Sequence, residues 1–372
     1  MKIVVITSRY PSENKPYNHM FVHMRCLEMQ QKNINVTVYV PSKTFDSYIY
    51  EGVKVQKMVT TEIIKLLDKQ LVIYLHLLNI YPFSKDNGWP IYKHIMKCNL
   101  QTVMYVHGSE VQKYTARWYE FNYRISDILK WIKRDCFVIP KMKQFFRNQK
   151  NKYPFVFPSL WMKEDTERNL NLTISDYKII PNGIDTSFFE FKNQVDKRFK
   201  IVTIRSLSNK VYDIEKTIEV LDNLPEKYTL DIYGEGIYKN KYQKLIASKK
   251  LENRVKIISR FLERSEMKKL FLNYGAFIST TRMDSQGVTM MEAASSGLLV
   301  VTTDNSSKKE FIQDAVNGIL ANSAEEIAAK IVAITSNKSR FEEIVVKGRK
   351  SIENIDISKT VKKEIELLEK TF

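Results

Sequence analysis

Two carboxylates and a glycine give the first chemical reading of this 372-residue chain. In the run Thr280-Thr281-Arg282-Met283-Asp284-Ser285-Gln286-Gly287-Val288-Thr289-Met290-Met291-Glu292-Ala293-Ala294-Ser295-Ser296-Gly297, a strand ends near Thr280 and a polar loop follows. A helix then opens near Gly287 and stops at Gly297. The first-turn amides of a helix lack intrahelical partners, and the helix dipole places partial positive charge there. That end is an anion site suited to a diphosphate. Asp284 lies in the loop and Glu292 about a turn into the helix, so one carboxylate can reach sugar hydroxyls while the other accepts from a ribose diol. Taken alone, the pair equally fits a loop cap and a surface side chain. The small residues Ala293-Ala294, Gly297 and the apolar run Leu298–Val301 that follow favour a site.

The elements that must position these residues alternate from end to end. Lys2–Thr7, Asn35–Val40, Leu71–His76 and Thr102–His107 read as parallel strands buried on both faces, being almost continuously apolar. Helical periods lie between them, as in Phe21–Gln30. The rhythm resumes at Lys200–Ile204, Thr229–Tyr233, Val255–Ile258, Ala276–Thr280 and Leu298–Thr302. It breaks once, near residues 183–199, where loop chemistry replaces periodicity. Two doubly wound α/β domains follow, residues 1–182 and 183–356, and residues 339–371 read as terminal helices. The last of these, about Ile357–Glu369, is expected to pack back onto the first domain. Eleven glycines are few for such a length, so each should mark a required turn or close approach. His107-Gly108, Asn182-Gly183, Gly234-Glu235-Gly236 and Gly287 sit near strand ends, where open α/β sheets bind ligands. Ordinary turn chemistry accounts for Gly297 and Gly318.

Composition narrows the partners. At 44% apolar residues the chain can bury full cores, which excludes disorder as its main state. The net charge of +17, of which +12 falls within residues 1–180, points to polyanions, anionic membranes or phosphorylated small molecules. Cys26, Cys98 and Cys136 are scattered, which fits a reducing compartment and neither a disulfide scaffold nor a zinc module. Met1-Lys2 leads into a short apolar run that Arg9 ends, so no export signal is expected there. The apolar stretch Leu71–Phe83 falls short of the roughly twenty residues that a membrane span needs. The expected location is cytoplasmic, with contact to a membrane only from the inside.

A set of ordered motifs, over about residues 1–320, resembles a known family. Asp284-x7-Glu292 is similar to the Glu-x7-Glu motif of retaining GT-B glycosyltransferases of the family-four type. Arg205-Ser206-Leu207-Ser208-Asn209-Lys210 resembles their Arg-Leu-x3-Lys diphosphate clamp, and Ile232-Tyr233-Gly234-Glu235-Gly236 their strand-Gly-x-Gly turn. Ile180-Pro181-Asn182-Gly183-Ile184-Asp185 is similar to the interdomain Pro-Asn-Gly-Val/Ile-Asp, and Val106-His107-Gly108 to the His-Gly. Met20-Phe21-Val22-His23 looks like the helix opening after the first loop. The resemblance implies a GT-B fold, two Rossmann-like doubly wound domains facing a central cleft. It also implies sugar transfer from a nucleotide-diphospho-sugar to a glycan or lipid-linked acceptor, as in bacterial surface polysaccharide assembly.

On that resemblance Arg205 and Lys210 grip the donor diphosphate and stabilise charge on the leaving group. Glu292 holds the ribose, Asp284 the transferred sugar, and the amides of Gly287, Val288 and Thr289 the phosphate or sugar, with Gly234 lining the donor site. His107 sits near the anomeric centre; among five histidines it is the one that both ends a strand and precedes a glycine. The first loop, with Asn18 and His19, faces the acceptor. Neither an Asp-x-Asp nor a metal-spaced cluster is present in the sequence, so no metal and no other cofactor is expected. This chain departs from the family in three places. Asp284 stands where Glu is usual, Val211 where Gly follows the clamp lysine, and Asn18-His19 where the first loop has Gly-Gly. Asn and His are enriched at positive φ among non-glycine residues.

Residues 111–163 hold twelve basic and three acidic side chains. Phe121, Ile125, Ile128, Leu129 and Ile132 recur there at helical spacing beside Trp118 and Trp131, and Lys141–Arg147 has the same character. Such a segment can lie on an anionic membrane; an amphipathic core helix with a solvated basic face fits equally. Nucleic acid is a poorer partner, since no RRM, KH, zinc or helix-turn-helix signature accompanies the charge. A nucleotide-sugar epimerase of the same fold, and a non-catalytic nucleotide-sugar or anion binder, are the competing readings.

Overall fold

A computed structural model describes residues 2–371. The chain divides into two compact units: Met1–Gly183 with Ile357–Phe372, and Ile184–Asp356.

The first unit is built on eight strands: β1 (Lys2–Thr7), β2 (Asn35–Pro41), β3 (Asp46–Tyr50), β4 (Val53–Met58), β5 (Val72–His76), β6 (Thr102–Tyr105), β7 (Phe155–Phe157) and β8 (Tyr177–Ile179). Their order across the sheet is β3-β4-β2-β1-β5-β6-β7-β8, parallel throughout except for the antiparallel edge pair β3–β4. Helices cover both faces: α1 (Met20–Gln31), α2 (Thr60–Leu66), α3 (Trp89–Cys98), α4 (Ile125–Trp131), α5 (Ile139–Gln149) and α6 (Leu160–Leu170). Double coverage explains why β1 is apolar at four consecutive positions, Ile3 to Ile6. Ile3 and Val5 pack with Val22, Cys26 and Met29 of α1, while Val4 and Ile6 face Ile91, Tyr92 and Ile95 of α3. The C-terminal helix, Ile357–Thr371, belongs to this unit and buries Ile357, Val361, Ile365 and Leu368 against the α1 face.

The second unit has six parallel strands: β9 (Lys200–Ile204), β10 (Thr229–Tyr233), β11 (Val255–Ile258), β12 (Ala276–Ser279), β13 (Leu299–Thr303) and β14 (Ile319–Ala321). Their order is β11-β10-β9-β12-β13-β14. Around them lie α7 (Ile214–Asp222), α8 (Lys239–Ser248), α9 (Arg264–Phe271), α10 (Val288–Ser295), α11 (Ala324–Thr335) and α12 (Lys338–Glu353). The α10 side chains Met290, Met291, Ala293 and Ala294 are buried with Val202, Phe277 and Val300 of the sheet, which fixes that helix at its angle to β12.

Strand order reverses at β1 in the first unit and at β9 in the second. In open α/β sheets the crevice beyond the strand C-termini at such a reversal is where ligands bind. The predicted site residues leave the sheets at these points.

The two readings left open for residues 111–163 divide between its parts. Lys141–Arg147 lies in α5, where Phe145 and Phe146 are fully buried and Phe146 stacks on Phe155 at 4.2 Å, so this stretch is core helix. The preceding segment is different in kind: a 3-10 turn over Thr115–Glu120, then α4, then a π-helical turn over Ile132–Val138. There Tyr123, Ile125 and Leu129 are 88%, 79% and 61% exposed, so it is not an amphipathic helix packed on the core.

Candidate functional site

In the second unit, the backbone leaving β9 is threaded against the turn leaving β10. Arg205 N–H donates to the Tyr233 carbonyl at 2.9 Å, Leu207 N–H to Glu235 at 2.8 Å, and Tyr238 N–H to Leu207 at 3.0 Å. Only glycine fits between the two loops. A Cβ on Gly234 would lie 1.9 Å from the Arg205 carbonyl oxygen, and one on Gly236 would lie 2.1 Å from the Leu207 carbonyl carbon. Gly234 therefore acts by letting the Arg205 loop settle in place. The Arg205 guanidinium donates to Ser279 Oγ at 2.9 Å and lies over the rings of Tyr212 and Phe277. Its Nε–H is buried and has no hydrogen-bond partner among the described residues. A buried cationic N–H left unpaired is costly unless a ligand accepts from it.

Lys210 opens a 3-10 turn, Lys210–Tyr212, that is tied to the loop after β12. Arg282 N–H donates to the Val211 carbonyl at 2.8 Å, Thr280 Oγ1 to the Asp213 carbonyl at 2.9 Å, and the Arg282 guanidinium to Asp213 at 2.6 Å. The Lys210 turn and the loop after β12 are thus hydrogen-bonded to one another.

Asp284 is held by both ends of its backbone. Its N–H donates to Ser306 Oγ at 3.1 Å and its carbonyl accepts from Ser307 Oγ at 2.9 Å. Its Oδ1 accepts from Gln286 N–H at 3.2 Å, so the loop-capping role is present in the structure. Gly287 then takes a left-handed conformation (φ 83°) and starts α10, whose first turn has neither a side-chain cap nor an acidic residue among the described residues. The amides of Val288 and Thr289 are the exposed end of that dipole.

Glu292, in the second turn of α10, is no ordinary surface acid. Burial pushes its carboxyl up to about 7, with the Arg264 and Arg205 guanidiniums pulling it down and Asp185 pushing it further up. Arg264 is in turn ion-paired with Asp185 at 3.1 Å.

Lys308 was not foreseen from sequence. It is fully buried in the turn after β13, where its Nζ donates to the Thr281 carbonyl and to Thr303 Oγ1. Burial pushes it down to about 7, against the attraction of Asp284. The signal was the polar run Thr302–Lys308 at a strand end beside β12, which reads as an ordinary loop without the pairing of β12 and β13.

In the first unit, Thr7, His76 and Tyr105 are aligned across β1, β5 and β6, and His107 lies just beyond. His107 Nε2 is 3.0 Å from His76 Nδ1, its ring stacks on Tyr105 at 4.5 Å, and Phe21 lies 4.7 Å away. Burial, then Arg25 and His19, hold the His107 imidazole well below its usual pKa, so it is neutral near pH 7. His19 takes the left-handed conformation expected of this loop (φ 51°) and bonds Thr7 Oγ1 through Nδ1 at 2.9 Å. Burial with the nearby Arg9 lowers it to about 4. Asn18 is half-buried and is not among the positive-φ residues.

The structure thus gathers Arg205, Lys210, Asp284 and Gly287–Glu292 at the strand ends of the second unit, with Gly234 beneath them, and His19 and His107 at those of the first. Among the described residues no group of three or more His, Cys, Asp or Glu is placed to hold a metal ion, and no helix is long and apolar enough to cross a membrane.

Two Rossmann-like parallel-sheet domains with these strand-end sites constitute the GT-B fold. The whole chain superposes on the whole of an Anabaena protein, Alr3699/HepE, solved in complex with UDP, with a TM-score of 0.75 at 14% identity. The family match falls in the second unit, where residues 185–351 match Glycosyl transferases group 1. Among curated relatives, the GtfA subunit of a UDP-N-acetylglucosamine–peptide N-acetylglucosaminyltransferase from Streptococcus agalactiae is 32% identical over 128 residues, covering 33% of this chain and 24% of the relative. A poly(glycerol-phosphate) alpha-glucosyltransferase from Bacillus subtilis is 26% identical over 210 residues, covering 51% and 30%. The matches therefore span about a quarter to a third of those relatives' length.

Proposed function

We propose that this chain is a retaining glycosyltransferase that moves a sugar from a nucleotide-diphospho-sugar to a glycan or lipid-linked acceptor in bacterial surface polysaccharide biosynthesis. The observation that carries the reading is Arg205. An arginine with a spare buried N–H stands at the C-terminus of the strand where the sheet order reverses, in the unit whose α10 has an uncapped N-terminus. Both features suit a diphosphate. Glu292 accepts from the ribose diol and Asp284 contacts the transferred sugar. Arg205, Lys210 and the α10 amides supply the positive charge that a bound cation would otherwise bring, so no metal is required. The relatives name UDP-N-acetylglucosamine and UDP, which makes a uridine diphosphate the first base to test.

In the reaction, the bond between the anomeric carbon and the β-phosphate oxygen breaks as the acceptor oxygen attacks on the same face. The acceptor proton passes to the departing phosphate. Charge accumulating on that phosphate is met by Arg205 and Lys210, the kind of preorganised stabilisation that dominates such steps.

A second surface belongs to the same reading. Tyr123, Ile125, Leu129, Ile132 and Phe137 are exposed among Arg124, Lys130 and Lys133, a combination suited to the inner face of an anionic membrane where a lipid-linked acceptor would be presented.

Calorimetric titration of UDP, GDP and ADP, each with EDTA present, tests the donor site. Micromolar binding of UDP, unaffected by EDTA and lost in Glu292→Ala, is expected. Binding that Glu292→Ala leaves intact would overturn the site, and binding abolished by EDTA would overturn metal independence.

A further inference from the structure

A chain of buried polar groups runs from the C-terminal helix to His107. Glu364 lies 3.2 Å from Arg25 Nε, both side chains being almost wholly buried. Arg25 NH1 is 3.1 Å from His76 Nδ1, its NH2 donates to Asn182 Oδ1 at 3.1 Å, and its guanidinium covers the Tyr105 ring at 4.1 Å. His76 Nδ1 is also the partner of His107 Nε2, at 3.0 Å. Tyr74, on the same strand as His76, faces Glu364.

The chemistry of these groups leaves one proton arrangement. A guanidinium has only donors, so an Arg25 N–H aimed at His76 Nδ1 requires a lone pair there. His76 then carries its proton on Nε2, which is buried without a hydrogen-bond partner and has the Tyr74 ring centred 4.2 Å from its own. A His76 Nδ1 that only accepts must receive a proton from His107 Nε2. The other nitrogen of His107, Nδ1, is thereby left as a lone pair that the contact with His76 does not use.

We propose that Glu364, Arg25 and His76 are positioning residues that lock His107 in its Nε2–H tautomer, so that His107 presents Nδ1 to substrate solely as a hydrogen-bond acceptor. The proposal rests on the reading of His107 as a site residue. It assigns His107 a partner class, a hydroxyl proton of the sugar or of the acceptor, and withholds from it the role of proton donor. The charges around the pair act in the same direction. Arg25 and His19 disfavour an imidazolium at His107, and Arg25 does so at His76, while Glu364 is matched by Arg25. The lock depends on both strands of the covalent chain that form the unit, since Arg25 lies in α1 and Glu364 lies 339 residues later.

Two-bond proton–nitrogen correlation spectra of the full chain labelled with 15N-histidine read the tautomers directly, with His76→Gln and His107→Gln giving the assignments. His107 and His76 are expected protonated on Nε2 alone and uncharged through the ordinary histidine range around ~6.5. In Arg25→Met combined with Glu364→Met, which removes both buried charges together and so leaves neither orphaned, the His107 signals should become those of a tautomer mixture. Turnover should fall about 10–100-fold, the range known for removing the hydrogen-bond partner that orients a metal-ligating histidine, with UDP affinity unchanged. A wild-type His107 protonated on Nδ1 would overturn the proposal, as would a double variant whose His107 remains locked. The spectra need no turnover. Failure of the glycosyltransferase reading would show in the titrations of the second unit, and failure of the lock in the tautomer.

Discussion

Lys308 and Glu292 carry opposite burdens at residue scale, and pH separates them. The Glu292 carboxyl is raised to about 7 in the fold, so the folded state keeps its proton where the unfolded chain has lost it. Its contribution to stability is present below about 4.5 and is lost as pH rises towards 7. Lys308 is lowered to about 7 from 10.5, so the unfolded chain binds its proton first as pH falls. Stability should therefore drop between about 10.5 and 7, with a limiting slope of about 1.4 kcal/mol per pH unit. Chemical denaturation across pH should show both slopes, the acid-side one vanishing in Glu292→Gln and the alkaline one in Lys308→Met. A Lys308→Met profile identical to wild type would mean that the amine is not held neutral. The Asp284–Glu292 spacing was legible because one helix turn relates the two residues to one loop. Lys308 and the Arg25 network were not, because each is made by strands distant in sequence, and a lone lysine or arginine in a +17 chain looks like surface.

Among the elements, the buried parallel strands could be read closely, since coverage on both faces demands runs such as Ile3–Ile6. Missed were β3 and β4, whose antiparallel pairing at an edge leaves Asp46, Ser47 and Ile49 exposed, and β7, β8 and β14, three residues each and too short to carry a pattern. The turn after β10 is where an element, more than a side chain, carries the site. Gly234→Ala would drive a methyl into the Arg205 carbonyl, so a loss of about 1–3 kcal/mol is expected. Thermal unfolding reads the stability, and UDP titration should show affinity falling with it. Normal affinity in Gly234→Ala would show that the Arg205 loop is not positioned by this turn. The exposed 115–137 segment was legible in composition only. Helical spacing could not say whether its apolar side chains face a core or the solvent, because packing against residues distant in sequence decides that.

For the whole molecule, charge is distributed so that residues 1–180 carry +12 of the net +17. Cosedimentation with vesicles containing phosphatidylglycerol should exceed that with neutral vesicles and weaken as salt rises, since exposed charges are screened beyond about 8–10 Å at physiological ionic strength. Replacing Ile125 and Leu129 by Ser should reduce it at every salt concentration, because these side chains would enter the lipid. Equal binding to neutral vesicles, or none to either, would return the segment to an exposed surface without a membrane role.

The chain enters the second unit at Ile184 and returns to the first at Ile357. Translation gives that return an order in time. When residue 183 leaves the ribosome, the sheet face over α1 still lacks Ile357, Val361, Ile365 and Leu368, and Arg25 has no carboxylate beside it. At ~5–20 residues per second, Glu364 follows about 10–40 s later. The second unit is made during that interval and is complete only when residue 356 emerges, so the first unit waits for nearly all of it. The first unit therefore keeps an unfinished apolar face until residues 357–368 emerge behind the whole of the second unit.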